Sequence, residues 1–119
     1  MAITNTWSVT DMTRVDADGG VINAYWSCLA TQTEGEGDAA VTYTAVEGGK
    51  LLCTYDASAA GFIAYASLTE ANVLGWVYAS LVEGDETPDE AKARIEADRT
   101  AKVQKQIDRA ATQDTGVPW

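Results

Sequence analysis

Apolar and polar positions alternate at the start of the chain, where Ile3, Trp7 and Val9 recur at even spacing between Thr, Ser and Asn, the period of a half-buried strand. The run Asp16 to Gly20 (DADGG) then predicts a hairpin turn, because glycine takes the positive φ such loops require. From Val21 to Thr31 one face carries Ile22, Ala24, Trp26, Cys28 and Ala30 and the other Val21, Tyr25 and Leu29, which predicts a central strand buried on both sides. An acidic, glycine-rich loop follows at Glu34 to Asp38 (EGEGD). Val41, Tyr43 and Ala45 alternate with threonines in a third strand, and Gly48-Gly49 predicts a turn into a fourth at Leu51 to Tyr55. Phe62 to Tyr65 reads either as a short edge segment or as an extended lead-in to a helix.

Helical spacing takes over at Leu68. Thr69 is an N-cap with Glu70 in the first turn, Leu68 and Val73 have the spacing of a hydrophobic staple, and Val73, Leu74, Val77, Tyr78 and Leu81 form one stripe that Gly84 ends. Thr87-Pro88-Asp89-Glu90 combines a capping box with a first-turn proline and opens a second helix, from Pro88 to about Thr112. That helix is polar, with expected pairs Glu90–Arg94, Asp98–Lys102 and Lys105–Asp108. Its apolar stripe is only Ile95, Val103 and Ile107, helped by alanines, which predicts an arm that packs on a neighbour. The tail, TGVPW, places Trp119 behind a proline that forbids further helix. The segregation of β pattern and helical caps predicts an α+β fold: an antiparallel meander of three to five strands over about Ile3 to Tyr55, then two C-terminal helices near Thr69 to Glu83 and Pro88 to Thr112. Within one domain, residues 1–84 form an acidic β body with one packed helix, and residues 85–119 form the helical arm and aromatic tail.

Length agrees with one domain: 119 residues and 12.6 kDa. The formal net charge is −10, and it is unevenly placed. Met1 to Thr87 holds twelve acids against two bases, Arg14 and Lys50, whereas Pro88 to Trp119 holds six of each. A phosphate backbone would be repelled by the body, so no direct nucleic-acid partner is expected. No apolar run reaches the roughly 20 residues of a membrane span, and the opening segment lacks the basic, then apolar layout of a secretory signal. The setting implied is a cytoplasm, or a particle assembled in one.

Candidate chemistry is sparse. The chain has no histidine, which removes the commonest general base and metal ligand. Neither Asp16 and Asp18 nor Glu34, Glu36 and Asp38 meets the ligand frame of an EF-hand, so these carboxylates read as solvated turns. Nucleophile-elbow and phosphate-loop frames are missing, so no enzyme, metal or cofactor is expected. Cys28 and Cys53 read as free apolar thiols, with a disulfide as the alternative. Trp7 and Trp26 read as sheet core, and Trp76 as core or a partly exposed contact. The residues expected to meet a neighbour are Ile95, Val103, Ile107, Val117, Pro118 and Trp119.

The order of ITNTWSV, VINAYWSCLA, AYASLTEANVLGWV and the ending Gly116-Val117-Pro118-Trp119 resembles a family of small tailed-phage and prophage proteins. The EGEGD loop and the two cysteines depart from that family's pattern. The resemblance implies a structural, virion-associated role such as a capsid decoration, neck or tail accessory subunit, with other virion proteins or copies of itself as partners. The alternative is a free cytoplasmic phage protein that inhibits or regulates a host factor through its acidic surface.

Overall fold

Strands β1 (Thr4–Arg14), β2 (Val21–Glu34) and β3 (Val41–Leu52) form an antiparallel meander in the order β1-β2-β3, followed by helices α1 (Glu70–Ser80) and α2 (Pro88–Thr112). These elements come from a computed structural model that describes residues 3–113 and 116–118. The fold is α+β. The β1–β2 turn is closed by Val15 N–H to Gly20 O at 2.9 Å and Gly19 N–H to Val15 O at 2.8 Å, with Gly19 at φ +73°.

Gly48-Gly49 is not a turn. β3 runs unbroken through both glycines, and Trp26 pairs with Gly49 in the register. A Cβ on Gly49 would lie 3.0 Å from the indole of Trp26, so the missing side chain makes room for the ring rather than reversing the chain. The predicted fourth strand is therefore the end of the third and an irregular segment after it. Phe62 to Tyr65 forms no strand edge; it leads into a short 3-10 turn at Tyr65–Ser67.

Burial alternates along β2. Ala24, Trp26, Cys28, Ala30 and Gln32 are buried under the helices, while Tyr25 and Leu29 point to the other face and are exposed. The central strand is thus covered on one side only. Trp7 stacks on Trp26 with ring centroids 5.6 Å apart and meets the edge of Tyr78 at 5.0 Å. Val77 and Ile95 complete this core cluster from the two helices.

Thr87 forms the expected capping box with Glu90, and Thr69 is the expected N-cap of α1, where the structure adds a box through Asn72. The α1 stripe buries Val73 and Val77 fully. The arm reading of α2 is overturned, because its first four turns lie on the sheet. Ala91, Ile95, Arg99 and Val103 recur every fourth residue and are all buried, with Arg99 only 7% exposed. An alanine and an arginine complete the stripe that hydropathy alone makes look thin.

The predicted helix pairs are replaced by others. Glu90 is held by the backbone N–H of Thr87 at 2.9 Å, so Arg94 turns back to Glu86 at 2.9 Å and to the carbonyl of Leu81 at 2.8 Å, closing the end of α1. Asp98 bonds to Arg99, and Asp108 accepts from Gln104 at 2.9 Å.

Side chains also engage backbone groups of the two edge strands. Arg99 Nη1 donates to Val46 O at 3.0 Å and Gln106 Nε2 to Thr44 O at 2.7 Å, while Glu70 Oε2 accepts from Val9 N–H at 3.0 Å. Polar groups that would otherwise invite strand pairing are occupied at these points.

Candidate functional site

Two surfaces remain after the core is accounted for: a threonine-rich outer sheet face on which Tyr25, Leu29, Val46 and Leu52 stand exposed, and a pocket with aromatic walls. The first is the outer face of the sheet. Its register sets Thr6, Leu29 and Val46 in one row, Thr4, Thr31 and Thr44 in the next, and Asp11, Tyr25 and Lys50 towards the turn end. Leu29 is 37% exposed, Val46 59% and Leu52 74%. Asp11 and Lys50 balance each other on this face, which is near neutral on a chain of net charge −10.

The second surface is a pocket of about 350 Å³ at the turn end of the sheet, between α1 and the segment 53–63. Val21, Leu51, Tyr55, Phe62, Ile63 and Trp76 supply most of its wall. Tyr55 lies so close over Gly20 that a Cβ there would fall 2.1 Å from its ring, and its hydroxyl donates to Asp18 at 2.9 Å. Phe62 packs on Tyr55 with centroids 5.8 Å apart. Burial, then the bond to Asp18, pushes the Tyr55 phenol above its usual range. Asp56 accepts from Ser58 Oγ at 2.7 Å and from Ser58 N–H at 3.0 Å, which holds its carboxyl below the usual carboxylate range. The Tyr55 hydroxyl and the Asp56 carboxylate of the wall thus have partners within the chain, and the rest of the wall is mainly apolar.

The residues expected to meet a neighbour separate into two groups. Ile95 and Val103 are buried against the chain's own sheet and are core, not interface, because α2 lies along the sheet. Ile107 is half-buried past the last fully buried turn. Val117 is 65% exposed and Pro118 is exposed, and Trp119 lies outside the described residues. Of the pocket residues, the sequence offered only Trp76 as a partly exposed contact; Cys53 read as a free thiol, and Val21 and the segments Leu51 to Tyr55 and Phe62 to Tyr65 as strand or lead-in. The available signal for Trp76 was its position just off the α1 stripe, and Phe62 and Ile63 lie in a segment with no regular period.

Cys28 is fully buried and Cys53 partly so, and both are free. Cys53 N–H donates to Ile22 O, which sets it about six strand residues, or roughly 20 Å, from Cys28, beyond the reach of a disulfide. Burial, followed by the charge of Glu96, pushes the Cys28 thiol up to about 11, and burial raises Cys53 as well. Asp18 is engaged by Gly20 N–H and Tyr55, and Glu34 by Gln32. Among the described residues no three Cys, Asp or Glu side chains converge to hold a metal ion, and no helix is long and apolar enough to cross a membrane.

A small α+β domain with one open sheet face and an aromatic pocket is the class these features define. The chain belongs to the family described as a domain of unknown function, DUF7936, whose model matches residues 2–119. No curated protein and no solved structure matches it.

Proposed function

We propose that this protein is a structural, virion-associated subunit of a tailed phage, such as a capsid decoration, neck or tail accessory protein, that acts through protein–protein contacts. The observation that carries the reading is the open sheet face, where Tyr25, Leu29, Val46 and Leu52 are left to solvent beside balanced charge on an otherwise acidic body. Exposed apolar patches of this kind mark contact surfaces. Other virion proteins or further copies of the chain are the partners that suit it. The resemblance of Tyr65 to Val77 and of the GVPW ending to small phage proteins is what favours a particle as the setting of these contacts.

Mass spectrometry of gradient-purified particles tests the reading. The protein is expected at a fixed ratio to the major capsid or tail protein, and L29D/V46D is expected to keep its circular dichroism and lose incorporation. Recovery of the wild type only from the particle-free lysate overturns it and favours a soluble regulator of a host factor.

A further inference from the structure

We propose that the pocket at the turn end of the sheet receives the segment Gly116 to Trp119 of a second copy of this chain, a contact that rests on the assembly reading above and specifies how subunits meet.

Chemistry matches first. The segment has no charged side chain and offers a valine, a proline ring and an indole. The one carboxylate among the described residues of the pocket wall, Asp56, is already bonded to Ser58, and the aromatic wall suits an apolar guest. A volume of about 350 Å³ lies within the roughly 300–1,000 Å³ of pockets that enclose small organic groups. Tyr55, pinned by Gly20 and Asp18, and Phe62 behind it form a preset wall, so little order has to be created on binding.

Topology then excludes the chain's own tail, so the segment has to come from another copy. Arg99 reaches Val46 and Gln106 reaches Thr44, so α2 advances towards the β2–β3 loop and away from Leu51 in the pocket wall. Thr44 to Leu51 spans about 23 Å of strand, and Gln106 to Thr112 adds up to about 9 Å of helix in the other direction. Seven residues from Gln113 to Trp119 cover about 25 Å at most when fully stretched. The described part of the tail is in solvent, with Val117 exposed and no tail residue in the pocket wall. The end of α2 and the pocket therefore lie towards opposite ends of a molecule 68 Å long.

Charge agrees with that geometry. The balanced α2 region carries the tail, while the pocket end sets both bases of the acidic body, Arg14 paired with Val21 and Lys50 next to Leu51, among Asp16, Asp18 and Asp56. Contact between these two ends avoids setting one acidic body against another. Such a head-to-tail contact is heterologous and generates rings or open arrays.

Cys53 in the pocket wall provides the test. Full-length V117C, oxidised and run without reductant, is expected to give a ladder of dimers and higher species that reduction collapses and that the added substitution Cys53→Ser removes. Buried Cys28 does not compete. In sedimentation velocity, wild-type self-association is expected to weaken about tenfold or more in W76A and, independently, in V117D, which alters an exposed residue. A monomeric wild type, a cross-link confined to one chain, no cross-link, or unchanged association in both variants overturns the inference. If association is unchanged while the protein is still found in particles, the tail-to-pocket contact fails and the assembly reading stands.

Discussion

Trp7 and Glu96 join the two layers: the indole Nε1 on β1 donates to Oε2 on α2 at 2.8 Å, beside the stacked Trp26. A partly buried N–H left without a partner costs about 1–3 kcal/mol. E96A is expected to lose stability by that amount, and E96Q, which keeps an acceptor oxygen, to recover most of it. Urea unfolding followed by tryptophan fluorescence measures both, and equal losses in the two variants would show that the bond is not what matters.

The buried Cys28 thiol sets an alkaline limit. Its folded value, pushed up to about 11 from an ordinary 9, means that stability from the neutral thiol is complete below pH 9 and declines as pH rises towards 11, where the unfolded chain ionises first. Burial also raises Tyr78, which acts in the same direction. The difference between wild type and C28A isolates the thiol, and the gap between them is expected to narrow from pH 8 to pH 10.5. In the folded protein at pH 8, a thiol reagent should modify Cys53 well before Cys28.

Gly49 leaves too little room beside the Trp26 indole for a branched side chain. G49V drives a branched chain into the Trp26 ring, an overpacking that costs about 1–3 kcal/mol, whereas β propensity alone favours valine. A lowered midpoint of thermal unfolding supports the packing account, and a raised one rejects it.

Arg99 serves both the helix stripe and the sheet edge. R99L removes the donor to Val46 O and the ion pair with Glu47 at 3.5 Å, with an expected loss of about 1–3 kcal/mol. Its hydrogen bond holds the Asp98 carboxyl below the usual carboxylate range, so that contribution is present above about pH 4 and is lost as pH falls. The acid limb of the stability profile should accordingly be shallower in R99L than in wild type.

The meander and both N-caps were legible in the sequence because alternation, the Leu68–Val73 staple around Thr69 and the Thr87-x-x-Glu90 signal are local. What was not legible depended on tertiary partners. Gly48-Gly49 has the composition of a turn, and only the indole of Trp26 across the sheet explains why the strand continues. The α2 stripe looked narrow because Arg99 counts as polar until Glu47, Asp98 and Val46 O surround it. The pocket was hidden for a related reason: Tyr55, Phe62 and Trp76 come from three segments with no common period.

The side chains that engage the sheet edges decide what kind of polymer this protein can enter. With Arg99 and Gln106 on β3 and Glu70 on β1, amyloid-like addition of strand to strand is interrupted at both borders. Any array built from the chain keeps the spacing of whole folded subunits and lacks the cross-β repeat of about 4.8 Å. Joints made by side chains, as in the proposed tail-to-pocket contact, are expected to come apart on dilution without unfolding a subunit.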